Sequence, residues 1–266
     1  MKRTIKRVFA VTTLTILVTI SGLATILLFP QPLFANKMEH KQFTVYSNDK
    51  ITADIVPLLD NAMALVEKSE INDPNYQYDI LLSFNSLFNK IDDKLLGFGP
   101  SARATDNNVT IKVRVDTKRD LFFPTFHRKC QSSLTYLLAH EMIHCLQAHK
   151  YGITKFNPLK HPEMWKLEGY PEYVARQPKL TNKNYNLTSE IDRYIELESK
   201  SADLWVLIEE GACEAPNYYY KGRLMVEYLM DIKHWSYDKI LNDTTSTNSV
   251  YEDMINWRNE LKKKKN

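Results

Sequence analysis

The sequence predicts an α+β fold, with a small mixed-sheet lobe followed by a mainly helical lobe. Three observations lead there. Short alternating runs of β-branched and aromatic residues occur only in the first half of the chain. Beyond about residue 125, apolar residues recur at helical spacing in segment after segment. The composition of the 266-residue chain, 44% hydrophobic, 25% charged and 11% aromatic, is that of a globular protein and excludes disordered or collagen-like chains. Seven glycines also argue against a Gly-rich barrel or propeller.

Residues 1–35 read as an address, preceding a domain over residues 36–266. Residues 8–29 carry no charge, and as a helix they span about 33 Å, enough for a hydrocarbon core of about 30 Å. Lys2, Arg3, Lys6 and Arg7 precede the run and orient it with the N-terminus in the cytoplasm. Its length favours an uncleaved transmembrane anchor over a signal peptide, for which Leu33-Phe34-Ala35 is a poor cleavage site. Either reading makes the membrane a partner and places the rest of the chain outside the cytoplasm, secreted or periplasmic if the segment is cut. There Cys130, Cys145 and Cys213 can form one disulfide, with the pair unspecified. The formal charge of +3 contains +4 from the N-terminal cluster, so the remainder sums to 3 − 4 = −1. With the lysines at 262–265 confined to the tail, no nucleic-acid partner is indicated.

Within the domain, residues 36–125 form the α+β lobe. Residues 42–47 alternate as a strand. Asn48 or Asp49 can cap a helix whose apolar positions run from Ile51 to Val66. Residues 76–84 read as a second strand, 98–105 as irregular or edge-like, and 109–115 as a strand after a turn at Asn107-Asn108. Residues 126–266 form the helical lobe. Ser132 or Ser133 caps a helix to about residue 150, stopped by Gly152. Further helices are expected near 163–176, 200–210, 218–234 and 249–264.

His140-Glu141-Met142-Ile143-His144 is the segment with chemistry. Histidines at i and i+4 lie on one helix face and can share one metal ion, while the glutamate between them points beside it, where it can take a proton from water. The alternative is a pair of hydrogen-bonded core histidines. A catalytic zinc usually takes three protein ligands. Glu168 and Glu172, one helical turn apart downstream, can each face the metal.

The H-E-x-x-H motif, followed by Trp165, Glu168, Gly169 and Tyr173 in a W-x-x-E-G-x-x-x-Y pattern, resembles the gluzincin metallopeptidases of the peptidase MA clan. That group includes the thermolysin-like enzymes and zinc aminopeptidases. The resemblance implies a thermolysin-like arrangement with one Zn2+ between the two lobes. It implies Glu168, the acid before glycine and separated from His144 by 23 residues, as third ligand with His140 and His144, and Glu172 as a support hydrogen-bonded to a metal histidine. Tyr219-Tyr220-Lys221-Gly222 is similar to the Y-x-K-G segment of the aminopeptidase branch, which implies Tyr219 as donor to the tetrahedral oxyanion. Segments 236–241 and 251–258 are similar to the closing helices of such domains.

Two departures qualify the likeness. Pro171 stands where a small residue is usual, which puts the start of its helix in doubt. The G-x-M-E-N loop that recognises a substrate amine is absent, which favours an endopeptidase. An extended substrate is expected to add to strand 102–105 or 109–115. His127, His149, His161 and His234 read as solvated or capping, and Cys145 as a core residue rather than a ligand.

The resulting expectation is zinc-dependent hydrolysis of a peptide or protein substrate. His140, His144 and Glu168 hold the metal, and Glu141 and Tyr219 are catalytic. The alternative is a catalytically silent binding module of the cell envelope.

Overall fold

The computed structural model describes residues 2–97, 99–124, 131–152, 155–156, 161–177, 184–200, 205–207 and 214–264, with side chains in the first helix described from Thr12 onward. The chain is a mixed α+β protein that divides into two compact units. One comprises residues 1–51 and 77–112, and the other residues 52–76 and 113–266.

The first unit begins with α1 (Lys2–Leu28). The single-pass membrane location expected from this segment is overturned: among the described residues, no helix is long and apolar enough to cross a membrane. From Thr12 to Leu28 the hydroxyls of Thr12, Thr13, Thr15, Thr19, Ser21 and Thr25 interrupt the apolar surface. Thr19 and Thr25 turn theirs back to the Thr15 and Ser21 carbonyls. The helix end is stitched to the sheet that follows. Asn108 Nδ2 donates to the Leu28 carbonyl at 3.0 Å, and Gln31 Nε2 donates to Asp79 at 2.7 Å and to Asn108 at 2.8 Å.

That sheet has five strands: β1 (Asn36–His40), β2 (Phe43–Ser47), β3 (Tyr78–Leu82), β4 (Ala102–Thr105) and β5 (Asn108–Ile111), in the order β1-β2-β3-β5-β4. The three central strands run parallel, and both outer strands are antiparallel to their neighbours. Parallel neighbours buried on both faces explain the apolar run of β3, where Ile80 and Leu81 are fully buried, and in β5 they bury Asn108 and Thr110 along with the fully buried Val109 and Ile111. β4 lies at an edge, as residues 98–105 suggested. The run 109–115 is not one strand. β5 ends at Ile111, and Arg114 opens β6. Between them the Lys112 ammonium is buried against Asp92 at 2.5 Å and Asp93 at 2.6 Å, while Arg103 joins Asp92 at 2.7 Å. Because β5 is paired on both sides, it has no edge to offer an added strand. Asp92 and Asp93 belong to α3 (Leu87–Leu96), a helix not anticipated and capped by Ser86.

The second unit contains α2 (Ile55–Val66). It starts later than expected and on Asp54, because Asn48 and Asp49 make local contacts instead: Asn48 accepts from the Ala35 N–H, and the Asp49 N–H donates to Ser47. β6 (Arg114–Asp116), β7 (Leu121–Phe123) and β8 (Ser132–Ser133) form a small antiparallel sheet. Then come α4 (Leu134–Tyr151) and α5 (Met164–Arg176), followed by α6 (Leu187–Lys200). Strands β9 (Trp205–Leu207) and β10 (Glu214–Pro216) pair, and α7 (Asn217–Glu227) runs into a π-helical turn over Tyr228–Ile232. α8 (Tyr237–Asn242) and α9 (Thr247–Lys263) close the chain. The helix expected at 200–210 is displaced. Lys200 ends α6, residues 205–207 are strand, and the remainder of that span lies outside the described residues. α6 buries Leu187, Ile191 and Tyr194 along one face, at a helical spacing that its many charged residues obscure.

Candidate metal centre

Local signals place α4 firmly. Ser133 Oγ accepts from the Tyr136 N–H at its start, and Gly152, at φ 83°, ends it in a conformation that side chains resist. α4 packs against α2 and α5, so its centre is buried. His140, Glu141, Met142 and Ile143 are all buried there. His140 is thereby withdrawn from water and His144 is half-buried, so both rings need partners in the protein.

α5 begins at residue 164 and continues through Pro171, so the proline does not shift its start. α5 and α7 cross at two glycines. A Cβ on Gly169 would lie 2.5 Å from the Gly222 carbonyl carbon and oxygen, and one on Gly222 would lie 3.1 Å from the Trp165 carbonyl oxygen. The glycines of E-G and K-G therefore let the two backbones touch. That contact sets the residue before Gly169, Glu168, beside the first turn of α7, where Tyr219 sits.

Three side-chain atoms converge. His140 Nε2 and His144 Nε2 lie 3.0 Å apart, and each is 3.2 Å from Glu168 Oε2. Among the described residues this is the one cluster of His, Cys, Asp or Glu side chains able to hold a metal ion. Corners of a tetrahedron with arms of about 2.0–2.1 Å lie about 3.3 Å apart, so the triangle has the size of three zinc ligands.

The outward nitrogens of both rings are also engaged. His140 Nδ1 is 3.0 Å from Glu172 Oε1, and Arg176 Nε donates to the other Glu172 oxygen. His144 Nδ1 is 2.7 Å from Gln147 Oε1. Glu172 resists protonation despite its burial, because Arg176 and His140 hold its carboxyl down to about 2. It therefore offers only acceptor oxygens, and a neutral His140 with its hydrogen on Nδ1 faces one of them while the Nε2 lone pair stays inside the triangle. Burial pulls the His140 pKa down, but Glu168 and Glu172 outweigh it and raise it to about 10. The same opposition raises His144, while Glu168 is pushed well below the usual carboxylate range against its burial. At 3.0 Å the two rings cannot both carry a proton between them.

Glu141 is close enough for its charge to raise the pKa values of both His144 and Tyr219. The Tyr219 ring centroid is 5.8 Å from that of His140 and 4.7 Å from that of Tyr218. Burial first, then Glu168 and other anions, push the Tyr219 phenol well above 10, so it remains a hydrogen-bond donor.

The structure thus brings together His140, Glu141, His144, Glu168, Glu172 and Tyr219 within one unit. Sequence reasoning missed Gln147, one turn past His144 on the same helix face. The signal was its polarity inside a buried helix. Cys145 is buried in the core. His149 reaches Asp73, His161 reaches the Pro162 carbonyl, and His234 occupies a left-handed turn. His127, Cys130 and Cys213 lie outside the described residues. Comparison with protein-family models, curated proteins and solved structures finds no match for this chain.

Proposed function

We propose that this chain is a zinc-dependent peptide hydrolase of the gluzincin type, with His140, His144 and Glu168 as ligands. The observation that carries the reading is the triangle of two imidazole nitrogens and one carboxylate oxygen, 3.0–3.2 Å on a side, flanked by an acid on the same helix. Bound zinc supplies Lewis acidity, polarising a carbonyl and making water more acidic. Glu141 takes the proton from the attacking water and delivers it to the departing nitrogen. Tyr219, kept protonated by burial and by surrounding carboxylates, donates to the oxygen on which charge develops. Glu172, braced by Arg176, orients His140. The adjoining glycines that set Glu168 next to the Tyr219 turn support this set of residues.

The test is zinc content together with hydrolysis of an unstructured protein, with Glu141→Gln as control. Stoichiometric zinc with cleavage abolished in Glu141→Gln is expected. Zinc without cleavage dependent on Glu141 would favour a peptide-binding module instead. Absence of zinc binding would overturn both.

A further inference from the structure

Gln147 is fully buried and makes three hydrogen bonds. Its Oε1 faces His144 Nδ1 at 2.7 Å, and its Nε2 lies 3.1 Å from the Leu167 carbonyl and 2.6 Å from the Tyr237 hydroxyl. Which end of an amide carries the oxygen is decided by its partners. Leu167 is the carbonyl that a helix would ordinarily bond to the N–H of residue 171. That residue is Pro171, which has none. An acceptor without its helical donor requires the amide NH2. The Tyr237 hydroxyl donates onward to the Lys166 carbonyl at 3.0 Å, so toward Gln147 it accepts, and the second amide hydrogen is placed as well. Both hydrogens now point away from His144. The amide oxygen facing Nδ1 can only accept, so Nδ1 carries the hydrogen and Nε2 of the neutral ring keeps its lone pair inward.

We propose that Gln147 is the positioning residue of His144, and that Pro171 creates the acceptor which orients it. The inference rests on the zinc reading above and deepens it. The freed carbonyl of Leu167 immediately precedes Glu168, so one amide side chain ties the second histidine of α4 to the backbone that carries the acid of α5. Two ligands from separate helices are held in mutual register by one residue.

Gln147→Leu, Gln147→Leu with Pro171→Ala, and Gln147→Glu are compared with the wild-type chain. Zinc affinity is read by competition with a chelator, and metal-free stability by thermal melting. Gln147→Leu should bind zinc about 10- to 100-fold more weakly, the usual effect of losing such a support. Adding Pro171→Ala gives the Leu167 carbonyl its helical N–H and should recover stability while zinc affinity stays low. Gln147→Glu still offers an oxygen to Nδ1–H and should recover most of the affinity, although it buries a charge. Recovery of affinity in step with stability in the double variant would reduce Gln147 to a structural role and overturn the proposal. So would wild-type affinity in Gln147→Leu while the wild-type chain binds zinc normally. If the wild-type chain itself binds no zinc, the zinc reading falls and takes this one with it. Should Gln147→Leu not fold, the double and Glu variants decide.

Discussion

Glu168, half-buried, and Glu172, buried, lie on one face of α5, and both reach His140. They differ in which nitrogen they meet: Glu168 is at Nε2, inside the triangle, and Glu172 is at Nδ1, outside it. Removing the first deletes a ligand. Removing the second only loosens a ring, which costs about 10- to 100-fold in metal affinity. Glu168→Ala should therefore lose far more zinc affinity than Glu172→Ala in a chelator competition, and the reverse order would reject the ligand assignment. Tyr219→Phe should keep zinc but slow peptide hydrolysis by about 10²- to 10³-fold, the scale of one oxyanion donor; an unchanged rate would remove Tyr219 from the chemistry. The histidine pair was legible because spacing within a helix already dictates who shares a face, whereas the choice of Glu168 over Glu172 and the place of Tyr219 came from the family resemblance alone. Gln147 was not, since its role depends on Tyr237, 90 residues away, and on a carbonyl opposite it on another helix.

Among elements, the crossing of α5 and α7 does most to shape the centre. The two glycines are not equivalent: a Cβ at Gly169 would run into Gly222 backbone at 2.5 Å, whereas one at Gly222 finds its first neighbour at 3.1 Å. Gly169→Ala must push the helices apart, and overpacking of that kind costs about 1–3 kcal/mol. It should destabilise the chain more than Gly222→Ala in denaturant unfolding, and it should weaken zinc binding too, because Glu168 moves with its neighbour. Equal stability of the two variants would mean that the helices yield without cost. Helices with local start and stop signals, α4 with Ser133 and Gly152 above all, could be read directly from the sequence. So could β2 and β3, with their buried alternating or apolar runs. α6 was obscured: Leu187, Ile191, Tyr194 and Ile195 do recur at helical spacing, but they are scattered among six charged residues. The split of 109–115 was hidden as well, since only the folded chain brings Lys112 to Asp92 and Asp93.

For the molecule as a whole, the charges at the centre tie stability to pH and metal together. Without metal, His140 is raised from an ordinary 6.5 to about 10. A raised histidine stabilises the fold fully below pH 6.5, and that contribution is lost as pH climbs toward 10. Glu172 is lowered from 4.5 to about 2, so its contribution is full above pH 4.5 and is lost as pH falls toward 2. The metal-free chain should therefore be most stable between pH 4.5 and 6.5. Zinc needs both imidazoles neutral and so competes with the proton that the empty centre holds. Saturating zinc at about 100 times its dissociation constant adds about 2.7 kcal/mol. At one fixed zinc concentration, chosen to be that multiple at alkaline pH, the gain should shrink toward pH 5, where protons displace the metal, and reach full size as the solution becomes alkaline, removing the high-pH decline. Melting curves with zinc or with chelator across this range measure the difference directly. A zinc effect of equal size at every pH would place the metal somewhere other than on these two histidines.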